Sequence, residues 1–377
     1  MGFFAPPLPN LYIFRPTSTP TRRPAVQIPL HRERMYRCLD QLLRAHAPSG
    51  AEAEVDQLVL EQMRGVGDAV WQDPADNIII HMRGRSADAP IAVTAHKDEI
   101  SMVVKRVEED GRLRVRNVGG LHPWAIGEIP VEIMGREGLI PGVLSIGSKH
   151  VSTESPAGQL KEGRGLSWEL MWVETKLGPE QLQKAGVRAG TKVVIARPFK
   201  APWPLGEYLC GYNLDCRGGL AALLEAAHQL RAEPPAQDVY LVASSEEEIG
   251  AHGATYALAQ LPSHTVIALD VVPVAQEYQV RNSAEPVLGC QDSSGIYHQR
   301  INQQLERLAG ELGFGVQTAV LTSYGSDATF AKSRGAAARA ALIGYPGDNT
   351  HGYEICHLEA LYNTARLLLA YFYHPLS

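Results

Sequence analysis

The chain has 377 residues, 45% of them hydrophobic and 20% charged, with 35 Lys+Arg against 41 Asp+Glu and a net charge of −6. That balance excludes global disorder and leaves no basic footprint for nucleic acid or anionic lipid, and the length suggests about two domains. No uncharged apolar run approaches the ~20 residues of a membrane span; residues 336–345 are too few and carry Arg339.

Residues 1–34 form a Pro-rich extension, with Pro6, Pro7, Pro9, Pro16, Pro20, Pro24 and Pro29 and only Arg15, Arg22 and Arg23 as charges before residue 31. Such spacing of proline forbids regular helix and weakens any strand. No positive segment precedes an apolar core, so a secretory signal is not expected; the acid-poor composition is faintly that of a transit peptide. A disordered or partner-draped segment is expected, with Met35 a candidate natural start. Helices follow at 35–47 and 53–63, then buried β-branched strands at 77–82 and 91–95. Asp110-Gly111 joins strands 100–107 and 113–118 into a hairpin. Residues 103–198 are rich in glycine and short β-like runs (130–134, 139–146, 170–173, 192–196), with one helix at 178–185, as a small inserted β domain would be. The α/β alternation of 35–102 resumes over 199–377: helix 218–231, strands 239–243 and 266–269, helix 297–312, strand 338–343 and helix 358–372.

Several familiar sites are missing. No GxSxG elbow, no GxGxxG after a strand and no HExxH occurs, and residues 142–149 resemble a phosphate loop only until Ser148 and Lys149, which stand in reverse order. Cys38, Cys210, Cys216, Cys290 and Cys356 form no CxxC pair, so neither a disulfide framework nor a thiolate zinc site is expected, and the chain reads as a reduced, cytoplasmic protein.

Chemistry-bearing residues gather where predicted strands end or a helix begins: His96-Lys97-Asp98-Glu99, Asp215 before the helix at Gly218, the triplet Glu246-Glu247-Glu248, Asp270, and His351 in the last loop. Ligands of open α/β sheets bind beyond the carboxyl ends of strands. Taken singly, each has a bland explanation: a satisfied histidine, a solvated glutamate face, a loop cap. Together, Asp215, Glu248 and Asp270 would repel unless neutralised. Two divalent cations would neutralise them, with His96 and His351 as neutral ligands and a bridging hydroxide balancing the remaining charge and serving as nucleophile. Mixed N/O donors suit Zn, Co or Mn. Asp98 stands where it can accept from the His96 ring. One glutamate of the triplet can ligate while a neighbour, Glu246 or Glu247, takes the proton.

In this order the segments Ala95-His96-Lys97-Asp98-Glu99-Ile100, Leu214-Asp215-Cys216-Arg217-Gly218-Gly219, Glu247-Glu248-Ile249-Gly250-Ala251-His252-Gly253-Ala254, Ile267-Ala268-Leu269-Asp270 and Gly325-Ser326-Asp327-Ala328 resemble the motifs of the tetrahedral metalloaminopeptidases, glutamyl aminopeptidases and cellulase M-like proteins among them. The resemblance runs from about Met35 to the C-terminus. It implies a mixed central sheet flanked by helices, as in zinc exopeptidases, with an inserted small β-barrel or PDZ-like dimerisation domain. It also implies self-association, often as a homododecamer. His96 and Asp270 would hold one metal, Glu248 and His351 the other, and Asp215 would bridge them. Glu247 would be the general base, and Asp327 a candidate for substrate binding. Cys216 and Gly352 depart from the usual residues, and Lys97 and Ser101 alter the surroundings of the first motif. The expected activity is removal of N-terminal residues from short peptides. A deacylase, a carboxypeptidase or a non-catalytic scaffold of the same fold are the alternatives; a glycosidase would need two carboxylates flanking a sugar and no metal. Acidic substrates would want a basic first pocket, basic ones an acidic pocket and apolar ones neither; Arg281, Asp292 and Asp327 are the residues to watch.

Overall fold

The computed structural model of the chain describes residues 28–376. The expectation for the extension therefore falls mostly outside the described residues. The elements run α1 (Arg32–Arg44), α2 (Ala53–Met63), β1 (Ala69–Gln72), β2 (Ile78–Met82), β3 (Ser86–His96), β4 (Ser101–Val107), β5 (Leu113–Val118), α3 (Pro123–Ile126), β6 (Ile129–Gly135), β7 (Gly138–Ser145), α4 (Pro156–Lys161), β8 (Trp172–Glu174), α5 (Pro179–Lys184) and β9 (Lys192–Ile195). They continue with β10 (Trp203–Leu205), β11 (Tyr208–Gly211), α6 (Leu214–Ala232), β12 (Gln237–Ser244), α7 (His252–Gln260), β13 (Thr265–Pro273), β14 (Val287–Gln291), α8 (Gln299–Leu312), β15 (Gln317–Val320), α9 (Asp327–Ser333), β16 (Arg339–Asp348), β17 (Glu354–His357) and α10 (Leu358–Tyr373).

An 11-stranded mixed sheet is ordered β1-β2-β12-β3-β13-β16-β17-β11-β10, with β14 and β15 branching from β16. Its centre, β12-β3-β13-β16, is parallel. Such strands are covered on both faces, which is why they read as continuous apolar runs. In β13 the two faces alternate: Ile267, Leu269 and Val271 pack with α1, α6, α8 and α10, whereas Val266, Ala268 and Val272 pack with α7 and α9. Leu220, Leu223, Leu224, Ala227 and Leu230 of α6 and Ile301, Leu305, Leu308 and Leu312 of α8 are all buried, as their helical spacing predicts. Strands β4-β5-β8-β7-β6-β9 close a separate barrel over its own core of Met102, Val104, Leu113, Val131 and Val193. Among the described residues no helix is long and apolar enough to cross a membrane.

Among the boundaries that differ from expectation, three have clear local reasons. Helix α1 starts at Arg32 because the His31 ring accepts from the Arg34 N–H and the Arg34 guanidinium holds Glu225 at 2.7 and 2.8 Å. It stops at Arg44 because the next amides are drawn elsewhere, His46 N donating to Glu54 and Ala47 N to Glu99. Strand β13 does not end before Asp270; Val271, Val272 and Pro273 continue its ladder with β16 as far as Gly347. Its pairing with β3, however, stops at Ala268 opposite Thr94, so the two strands part just before His96 and Asp270. That parting opens the crevice in which the polar residues meet.

Candidate active site

His96 closes β3, and Asp270 faces it across the gap, with His96 Nε2 3.9 Å from Asp270 Oδ1. Asp215 enters from the start of α6, where Asp215 and Cys216 have non-helical backbone and regular helix begins only beyond them. One Asp215 oxygen lies 3.0 Å from His96 Nε2; the other lies 3.4 Å from His351 Nε2. Glu248 Oε2 is 3.6 Å from the same His351 nitrogen. In both histidines the remaining ring nitrogen meets a main-chain carbonyl: His96 Nδ1 is 3.2 Å from Asp98 O, and His351 Nδ1 is 3.3 Å from Gly120 O. A carbonyl only accepts, so each Nδ1 carries a proton and each Nε2 is turned to the carboxylates.

Two further buried carboxylates hold this arrangement by its backbone. Asp98 accepts from Ser49 Oγ at 2.6 Å and from the N–H groups of Glu247 and Glu248 at 2.9 and 3.2 Å. Glu354 accepts from Asp215 N at 3.0 Å and His351 N at 3.1 Å. Asn213, Glu246, Ala251 and His351 all have left-handed φ between 53° and 66°. Each such residue costs of order 1–3 kcal/mol and persists only where its surroundings fix it. The barrel also reaches the site. A Cβ on Gly120, just after β5, would lie 2.4 Å from His351 Nδ1, so the backbone approaches the ring there as only glycine allows.

The electrostatics are those of carboxylates largely withdrawn from water. Burial pushes Glu247 and Asp270 well above the usual carboxylate range, reinforced by neighbouring acids, and pushes Glu248 up to about 7 against the pull of His351. Burial would lower His351, yet Glu248 and Asp215 carry it up to about 11; Asp215 and Asp98 likewise outweigh burial at His96 and raise it. Burial would raise Asp215, but His351 and His96 hold it well below its ordinary value. Donor atoms of His96, Asp215 and Glu248 lie within 4.8 Å of one another, as do those of His96, Cys216 and Asp270. This hard N/O set fits a divalent cation. Cys216 does not belong to it: its thiol donates to Leu269 O at 2.9 Å, and burial pushes it well above the thiolate range.

The structure thus brings His96, Asp215, Glu248, Asp270 and His351 together. Asp215, Glu247, Glu248, Asp270 and His351 line one cavity of about 360 Å³. Glu246 turns away, toward His252 and a separate cavity of about 660 Å³ against α2. Asp98 is placed behind the site: its carboxylate comes no closer than 3.5 Å to the His96 ring, because it is taken up by Ser49 and the 247–248 backbone. Asp327 does not line the cavity; its carboxylate accepts from Ser244 Oγ beneath it. Lys97, fully buried, points away from the site to Glu52 and Asp56, at 2.7 and 2.5 Å. Sequence reasoning missed Ser49, Tyr324, Phe330 and Glu354. Only Glu354 had a local signal, its spacing of three from His351.

Comparison with known proteins gives one consistent answer. Residues 76–367 match the family model of the M42 glutamyl aminopeptidases. A lysyl aminopeptidase of Pyrococcus furiosus is 28% identical over 280 residues, 74% of this chain and 77% of that protein. An aminopeptidase from the archaeon Desulfurococcus kamchatkensis superposes with a TM-score of 0.82 at 26% identity, covering 91% of this chain and 95% of that one. The TET1 peptidase of Pyrococcus horikoshii, which can assemble into a tetrahedron or a large octahedral shell, has the same fold, with a TM-score of 0.80 at 22% identity over 90% of this chain and 99% of that one.

Two expectations follow from the geometry. Asp98→Asn and Glu354→Gln each put an NH₂ group where two backbone donors converge, so either should cost roughly 10–100-fold in metal affinity or turnover with circular dichroism unchanged; full affinity in chelator titrations and full turnover would show that the carboxylates do not position the site. A raised His351 is protonated at neutral pH and must lose that proton to ligate, so divalent-cation uptake should release at least about one proton per chain and tighten as pH rises. Calorimetry in buffers of differing ionisation heat reads the number directly.

Proposed function

Because the chain belongs to the M42 glutamyl aminopeptidase family, we propose that it is a metal-dependent aminopeptidase that removes N-terminal residues from short peptides. The observation that carries this is the company kept by Glu247. Its carboxylate shares a cavity with four of the five donor residues, Asp215, Glu248, Asp270 and His351, and among the described residues no side chain donates a hydrogen bond to it. It is a half-buried base with no other side chain to serve.

His96 and Asp270 would hold one cation, His351 and Glu248 a second, and Asp215 would serve both through the two oxygens that face the two histidines. Bound divalent ions, Zn first and Co or Mn as alternatives, would lower the pKa of water and polarise the scissile carbonyl. Glu247 would take the proton from the attacking water at its carboxylate and deliver it to the nitrogen of the leaving amine as the C–N bond breaks. Asp98 would keep Glu247 and Glu248 in register through their amides.

We take residues 103–198 as the inserted dimerisation domain and 35–102 with 199–377 as the catalytic domain, and place the protein in the cytoplasm. Self-association through the barrel, in a homododecamer, is the assembly we propose; the shell formed by the Pyrococcus horikoshii peptidase supports it.

Aminoacyl anilides should be hydrolysed in the presence of Zn, Co or Mn, and N-acetylation of the same substrates should abolish the reaction. Cleavage of the acetylated forms would favour a deacylase or related hydrolase. Glu247→Gln should lower kcat by at least roughly 10²-fold while elemental analysis finds the metal content near normal.

A further inference from the structure

The wall of the cavity opposite the donors determines what can sit beside them. It consists of Val271 and Pro273 from the end of β13, Ser323 and Tyr324, Phe330 of α9, and Thr350. Among the described residues no Lys or Arg lines the cavity, and the only carboxylates that do are Asp215, Glu247, Glu248 and Asp270. Phe330 lies close over Gly325, where a Cβ would come within 2.7 Å of its ring, so glycine lets the ring settle against the chain.

The charged groups that could have read a charged substrate are otherwise engaged. Asp292 accepts from Tyr297 Oη at 2.6 Å, Thr329 Oγ1 at 2.5 Å and the amides of Ser294 and Gly295 at 2.8 and 2.9 Å. Asp327 accepts from Ser244. Arg281 lies on the surface within 3.5 Å of Glu285. Arg334 comes nearest, but it sits against Phe330, 5.2 Å from the ring centroid, with Nη1 donating to Gly250 O at 2.7 Å and Thr255 Oγ1 at 3.0 Å.

Resting on the aminopeptidase reading, we propose that the wall formed by Val271, Pro273, Tyr324 and Phe330 receives the side chain of the substrate's first residue and selects apolar or aromatic ones. Leucine or phenylalanine would exchange water for contact with these groups. The carboxylate of glutamate or the ammonium of lysine would lose water and find no opposite charge beyond the metal-binding set and the base Glu247, a loss that contact cannot offset. Phe330 is the central specificity-determining residue, since it brings the one wholly apolar aromatic ring among the described residues that line the cavity.

The test is a panel of Leu, Phe, Glu and Lys p-nitroanilides with the metal-loaded full-length protein. Leu and Phe should exceed Glu and Lys in kcat/KM by about tenfold or more. Phe330→Arg should narrow or invert the Leu-to-Glu ratio, and Phe330→Leu should preserve the order. Hydrolysis with Glu or Lys preferred overturns this inference alone. So does a Leu-to-Glu ratio unmoved by Phe330→Arg in a variant with wild-type circular dichroism. Hydrolysis of none of the four substrates overturns the aminopeptidase reading and this inference with it.

Discussion

The organising constraint of this molecule is that Asp98, Asp215, Glu247, Glu248, Asp270 and Glu354 are gathered within a few ångströms of His96 and His351, largely out of reach of water. Like charges so placed cannot all ionise. Removing a single carboxylate from water costs several kcal/mol, and the cost recurs with each neighbour unless cations or hydrogen bonds offset it. The protein offsets it in three ways. Some acids are solvated by backbone N–H groups, as Asp98 and Glu354 are. Asp215 is placed against two imidazoles. Glu247 has neither, Asp270 accepts only the N–H of Val271 at 2.8 Å with the His96 ring further off, and both are pushed toward protonation by burial. A donor set in that condition has its protons in place of metal, and exchanging one for the other is the natural way to relieve it.

Outside this cluster lie Lys97, Lys200 and Arg217, three cationic side chains with no exposure to solvent. Lys97 pairs with Glu52 and Asp56, and Lys200 with Glu99. These pairs keep charge balanced behind the donors while the donors themselves stay free to face the cavity. Glu52 extends the effect, since its Oε1 accepts from Gly50 N at 3.1 Å and Glu246 N at 3.2 Å. The strand-end loop 245–248 is thus pinned from Glu52 on one side and Asp98 on the other. This division explains why three consecutive glutamates have different surroundings: the left-handed turn at Glu246 sends that side chain outward, and the next two follow the pinned backbone inward.

Much of the site was legible because most of the donors lie in short segments at a strand end, a helix start or the last loop, where the sequence pattern marks them out. His96, Asp215, Glu248, Asp270 and His351 needed no long-range information to be singled out. What stayed hidden depends on contacts across the sheet. Ser49 reaches Asp98 across 49 positions and Glu354 reaches Asp215 across 139. Tyr324 and Phe330 come from a loop and a short helix whose neighbours give no periodic signal. The placement of Asp270 inside a continuing strand was hidden too, because the break that exposes it lies in the pairing of β13 with β3 and leaves no mark on the sequence of either.

The barrel belongs to this argument as well. Its strand β5 is followed by Gly119 and Gly120, which abut Glu248 and His351, and the short helix α3 brings Ala125 O to within 3.3 Å of where a Cβ on Gly352 would stand. Lys192 Nζ reaches Ser49 O at 2.7 Å, beside the hydroxyl that holds Asp98, and Arg197 clamps Glu54 at 2.9 and 3.0 Å. An insertion that served only to bind another copy would not need its backbone against a donor histidine. The Gly120 carbonyl fixes the tautomer of His351, and no residue of the α/β core stands in that place. The insertion and the core therefore complete one site between them, and a displacement of the barrel would be felt first at His351.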